Sequence, residues 1–145
     1  MGCNACTKIT KAAEFVIAER ECRLTVVNPE KEKTKRVKVD CCTIPDGENC
    51  DYFIEANYSP KKKLVYVELK GRSCDFSKAL SQIKSTWEIT KEFYDGYKMK
   101  AFVVGSIAPK NDATFTRLKK KFQKETQGMI VDKLSHNDRI DLSKI

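Results

Sequence analysis

The spacing of apolar positions along this chain switches between a helical and a strand-like period. Over residues 7–21, Ile9, Ala12, Ala13, Val16 and Ile17 recur at helical spacing behind Thr7, a suitable N-cap, and the pattern predicts a helix. Two short runs follow, Leu24-Thr-Val-Val27 and Arg36-Val-Lys-Val39, joined by Asn28-Pro29 and a charged stretch from Glu30 to Lys35. They predict two strands. Ile44-Pro-Asp-Gly-Glu-Asn49 is a turn signal. Further strands are predicted over 51–58 and 64–70. The turn between them, Ser59-Pro60-Lys61-Lys62-Lys63, is short enough to make that pair antiparallel.

After Cys74 the period returns to 3.6. Ala79, Leu80, Ile83, Trp87, Thr90, Phe93 and Tyr94 predict a helix over 76–95, capped by Asp75 or Ser77 and stopped by Asp95-Gly96. Residues 100–107 are almost continuously apolar, as in a strand covered on both faces. A strand, a crossover helix and a strand predict parallel pairing between the 64–70 and 100–107 segments. A helix opening at 109–112 carries Phe115, Leu118 and Phe122, residues 129–131 read as a last short strand, and the tail reads as polar. The sum is an α/β chain with a central mixed sheet flanked by helices, in one domain of 145 residues.

Composition narrows the possible roles. Charged residues make up 33% of the chain and apolar residues 41%, which suits a folded, water-soluble domain. No apolar run approaches the ~20 residues of a membrane-spanning helix, and the first residues lack a secretion signal, so the expected location is the cytoplasm. The net charge of +8 favours a polyanionic partner such as nucleic acid. Seven cysteines (an odd number) in a cytoplasmic chain are expected to be reduced. Cys3-x-x-Cys6 has zinc-ligand spacing but no matching second pair, and the only histidine, His136, is read as a surface residue.

The chemistry gathers around Val65-Tyr-Val-Glu-Leu-Lys-Gly71. In a strand Val65, Val67 and Leu69 share one face, and Tyr66, Glu68 and Lys70 share the other. Pairing through the 59–63 turn would set Asp51 beside Glu68. Adjacent carboxylates repel unless a cation lies between them, and a hard ion such as Mg²⁺ or Mn²⁺ takes oxygen ligands of this kind. The Leu69 carbonyl is a further possible ligand, and Lys70 could position a water or neutralise charge.

Asp51 with Glu68-Leu69-Lys70 resembles the PD-(D/E)xK nuclease superfamily. The resemblance spans roughly residues 7–107 and implies a restriction endonuclease-like core of a helix, three strands, a helix and a strand. It implies Asp51 and Glu68 as metal ligands, Lys70 as the catalytic lysine, and Glu14 on the first helix as an extra acid, with Glu19 and Glu21 as alternatives. Pro45-Asp46 is the literal motif dipeptide and makes Asp46 the alternative to Asp51. Some members carry a glutamine on the helix after the motif with a tyrosine four residues on; here Gln82 is followed by Thr86. The implied activity is metal-dependent phosphodiester hydrolysis, in DNA, as a homodimer or with a partner protein where both strands are cut. Lys61, Lys62, Lys63, Arg72 and Lys78 are the expected nucleic-acid contacts, with Lys84 and the Arg117–Lys124 cluster as further basic positions. The other reading is a nucleic-acid-binding or assembly subunit that keeps the fold and does not cut.

Overall fold

The computed structural model describes residues 6–39, 48–71, 75–105 and 113–145. Its elements follow as β1 (Thr7–Thr10), β2 (Glu14–Glu19), β3 (Cys22–Val27), β4 (Thr34–Lys38), β5 (Tyr52–Ala56), β6 (Lys63–Gly71), α1 (Phe76–Thr90), β7 (Lys98–Gly105), α2 (Ala113–Glu125), β8 (Ile130–Leu134) and β9 (Arg139–Asp141). Short 3₁₀ turns, Lys91–Tyr94 and Leu142–Lys144, follow α1 and β9.

From Lys63 to Leu69, β6 has no face toward water, and this explains its sequence. Leu64, Tyr66 and Glu68 are buried on one side and Val65, Val67 and Leu69 on the other. The strand lies inside a six-stranded sheet of order β1-β4-β5-β6-β7-β8. β6, β7 and β8 run parallel, and the pairs from β1 to β6 are antiparallel, so the sheet is mixed. Ala79, Leu80, Ile83 and Trp87 of α1 and Phe115 and Phe122 of α2 pack with Leu64, Tyr66 and Phe53. On the other face a three-stranded sheet, β2-β3-β9, brings Ile17, Leu24, Val26 and Ile140 against Val65, Val67 and Phe102. The protein is therefore three layers deep, and a charge placed on β6 is removed from bulk water.

The helix predicted over 7–21 is two strands. β1 pairs with β4, and β2 forms a hairpin with β3 from Glu14↔Val27 to Glu19↔Cys22. Thr7, Ile9, Thr10, Val16 and Ile17 are β-branched and stiff at χ1, which favours a pleated surface. Ile17 is buried while Val16 is exposed, which is strand alternation, although the same residues also fit a helical stripe. The tail expected to be merely polar supplies β9, parallel to β3, and buries Ile140 and Leu142. Two apolar positions are too few to announce a strand.

The predicted strands around 24–27 and 36–39 are present but join different sheets. Asn28, fully buried, holds the crossing between them. Its Nδ2 donates to Glu32 O (2.8 Å) and Thr34 Oγ1 (3.3 Å), while Tyr58 OH donates to its Oδ1 (2.6 Å). Asn28→Ala leaves these groups unpaired in the interior and is expected to destabilise the fold by about 2 kcal/mol, read from urea denaturation.

The remaining elements match expectation, including the antiparallel β5–β6 pair, the parallel β6–β7 pair, and Asp75, which caps α1 by accepting from Lys78 N (3.1 Å). The turn at 44–47 and the helix start at 109–112 lie outside the described residues. The cysteines depart from expectation. Cys22 and Cys50 are free and buried, but Cys6 is disulfide-bonded. Lys38 N donates to Cys6 O (2.9 Å), so the end of the β1–β4 ladder fixes the chain at this cysteine. The disulfide also removes Cys6 from any zinc set. Among the described residues no helix is long and apolar enough to cross a membrane.

Candidate metal and catalytic site

The β5–β6 ladder runs from Tyr52↔Val67 to Ala56↔Lys63, and one further step places Asp51 opposite Glu68. The chain just before β5 is tied to α1, since Cys50 N donates to Thr86 Oγ1 (3.0 Å) and Thr86 Oγ1 donates to Gln82 O (3.1 Å). Leu69 N then donates to Asp51 Oδ2 (2.7 Å), a charge-assisted bond that closes the end of the ladder. Asp51 thus stands beside Glu68; its sequence alternative, Asp46, lies outside the described residues.

Glu68 is 2% exposed. Lys70 Nζ lies 3.4 Å from its Oε2, attracting the carboxyl without hydrogen-bond geometry, and this buried oxygen has no hydrogen-bond partner. Burial, a hydrogen bond with Asp51 and the Asp51 charge push Glu68 up to about 9, against the opposing pull of Lys70. Near neutral pH the pair therefore holds a proton in the space between two carboxyl groups. Lys70 is fixed from its other side, donating to Gln82 Oε1 (2.5 Å), and Gln82 Nε2 donates to Asn49 O (3.4 Å). A register shift between Leu69 and Gly71, with Gly71 at φ +63°, breaks the regular pleat next to Lys70. A side chain at Gly71 would be strained by that backbone.

The site opens onto a cavity of about 570 Å³ lined by Asp51, Leu69, Lys70 and Gly71, and by the β2–β3 turn from Glu19 to Cys22. Burial pushes the Cys22 thiol up, and its Sγ donates to Val104 O (3.5 Å). Glu14 is not at this site. It begins β2, is exposed, and accepts from Arg139 Nη2 (2.7 Å). A six-residue strand extends roughly 17 Å, so its two ends cannot both reach the cavity. Glu19 and Glu21, at the turn, line it instead, and Glu19 Oε2 lies 3.6 Å from Lys38 Nζ.

The basic residues divide. Lys61, Lys62 and Lys63 precede or begin β6, whereas Glu68 lies near its other end, so these lysines are not beside the site. The antiparallel ladder that brings Asp51 to Glu68 carries the connecting turn away from both. Lys63 is buried, and its Nζ donates to Leu142 O (2.6 Å). Lys78 is exposed in the first turn of α1, Lys84 pairs with Glu125 (2.6 Å), and Lys119 pairs with Asp132 (2.8 Å). Arg72 lies outside the described residues.

Comparison with protein-family models, characterised proteins and solved structures yields no match for this chain. The donor set must therefore be judged on its own chemistry. Among the described residues no three His, Cys, Asp or Glu side chains form a group suited to a metal. Two carboxylates and the Leu69 carbonyl suit an ion that retains several waters, as Mg²⁺ does, and do not suit tetrahedral zinc. The orphaned Glu68 oxygen and the proton held between two acids fit a cation position. The β2–β3 turn and the Thr86 anchor escaped the sequence reading. Glu19-Arg20-Glu21, charged between two alternating apolar runs, was the available hairpin signal.

Proposed function

We propose that this protein is a divalent-metal-dependent nuclease that hydrolyses phosphodiester bonds in DNA, on a restriction endonuclease-like core whose leading helix is replaced by a hairpin. The observation that carries this reading is the Asp51–Glu68 pair, with Glu68 buried and Asp51 half-buried, Lys70 beside it and a buried Glu68 oxygen that has no hydrogen-bond partner. Asp51 and Glu68, with the Leu69 carbonyl, would hold Mg²⁺ or Mn²⁺. When bound, the ion supplies charge stabilisation for phosphoryl transfer and an oriented water. Lys70, aimed by Gln82, neutralises charge developing on the phosphate oxygens. The cavity beside Leu69 and Lys70 gives a phosphate room to enter.

The test is incubation of the purified protein with single-stranded, duplex and branched DNA, with Mg²⁺ or Mn²⁺ and with EDTA. Cutting in the metal and none in EDTA is expected; intact DNA in every arm overturns the proposal. Gln82→Ala frees the Lys70 ammonium without emptying the core. It is expected to slow cleavage about tenfold, with a stability change under about 1 kcal/mol.

A second reading, a nucleic-acid-binding or assembly subunit that does not cut, is favoured by the small number of carboxylate donors at the site. A thermal melt separates the two readings. Mn²⁺ raises the melting temperature of a working metal site and leaves that of a pure binder unchanged.

A further inference from the structure

We infer that the end of the sheet remote from Glu68 carries a second surface, which binds single-stranded nucleic acid with Tyr97 as a base platform and the surrounding lysines as phosphate contacts. This inference requires no step of the proposed cleavage. Two cavities, of about 640 and 380 Å³, both have Tyr97 in their walls. Lys61, Lys91 and Lys98 line the first, and Lys33, Lys35 and Lys62 line the second. Against these six lysines stand three carboxylates, Glu92, Asp95 and Glu55. Glu55 is already engaged, accepting from Tyr94 OH and lying 3.9 Å from Lys35 Nζ. The surplus is felt locally, since the charge of Lys98 adds to burial in lowering the pKa of Lys63.

Tyr97 is held for contact. Its ring meets Tyr94 edge-on at 5.2 Å between centroids, and Lys62 Nζ lies 5.9 Å from its centroid. Lysines around an aromatic ring are the elements of single-strand binding, in which phosphates follow the charge and a base stacks on the ring. A duplex keeps its base faces covered and cannot offer one to a ring in a concave wall. An acidic peptide would use the charge and leave the ring idle. The surface lies roughly 17 Å from Glu68, the span of five residues of β6. It can therefore be occupied while the candidate site is empty.

The experiment measures fluorescence anisotropy of a labelled dT12 oligonucleotide with the whole protein in EDTA, where no metal-dependent cutting occurs. The wild-type protein is expected to bind dT12 more tightly than a duplex of the same charge. Tyr97→Ala should weaken binding about tenfold. Lys62→Glu with Lys98→Glu, both exposed and tolerable to the fold, should weaken binding and flatten the slope of log K against log salt by at least about 1. Melting curves confirm that each variant is folded. Equal affinity for the duplex, unchanged binding by folded Tyr97→Ala, or displacement by polyglutamate at equal charge overturns the inference. The nuclease proposal is read in Mg²⁺ and this one in EDTA, so the two can fail separately.

Discussion

Glu68→Gln is expected to make the protein more stable and inactive in the same stroke. Glutamine has the shape of the protonated glutamate and can donate to Asp51 where the shared proton now sits. It needs no proton on folding. At pH 7 an unfolded glutamate is ionised, so burying it protonated costs stability that the amide avoids, at most about 3 kcal/mol. The same change removes a negative ligand from the proposed metal position, and cleavage should fall by about 10³-fold or more. A residue that destabilises the fold and is needed for activity belongs to function rather than packing. Lys70→Met sharpens the comparison. It should also lose about 10³-fold in cleavage while retaining the rise in melting temperature with Mn²⁺, because both carboxylates remain. Thermal melts in EDTA and in Mn²⁺, set beside cleavage rates, check all of this. A Glu68→Gln protein that cuts normally would remove the carboxylate pair from the mechanism.

The metal-free protein should lose stability as pH rises from about 4.5 to about 9. Glu68 holds its proton more tightly when folded than when unfolded. Below 4.5 both states carry that proton. Between the two values only the folded state does, so each step upward in pH penalises folding, by up to about 1.4 kcal/mol per pH unit. Above about 9 the contribution levels off. The groups facing Glu68 are Asp51 from the start of β5, Lys70 from its own strand and the Cys50 thiol. Burial pushes the Cys50 thiol so far up that it stays neutral across this window. Mn²⁺ must displace the Glu68 proton, so its affinity should rise about tenfold per pH unit over the same range. Urea titrations at several pH values, with wild-type and Glu68→Gln protein compared, isolate this one group.

The core of the site was legible because period-2 alternation and a short turn fix which residues oppose one another. Asp51 faces Glu68 for the reason that Tyr52 faces Val67. The same ladder explains an error. A hairpin that joins its two open ends sends the turn to the other end, so Lys61, Lys62 and Lys63 had to lie away from Glu68. Glu14 was misplaced because Ile9, Ala13, Val16 and Ile17 satisfy a helical stripe as well as a strand, and the sequence does not say that residues 22–27 will offer a ladder. Tertiary pairing decided it. Gln82 was readable as a polar residue on the flank of the motif helix. Its hold on Lys70 depends on how α1 packs across the face of β6 that carries Leu64 and Tyr66, which the sequence does not spell out.

The parallel pairing of β3 with β9 has a consequence for how the chain is made. Thr25, Val26 and Val27 wait for Arg139, Ile140 and Asp141, more than a hundred residues later. On the ribosome, the layer that covers Val65 and Val67 cannot close until residues 139–142 have left the exit tunnel. Until then one side of the central strands stands open in an unfinished chain, as a surface for chaperones or for aggregation. Contacts between such distant residues also slow the search for the native state. The apolar face formed by Val65, Val67 and Leu69 is thus fully covered only once residues 139–142 have emerged.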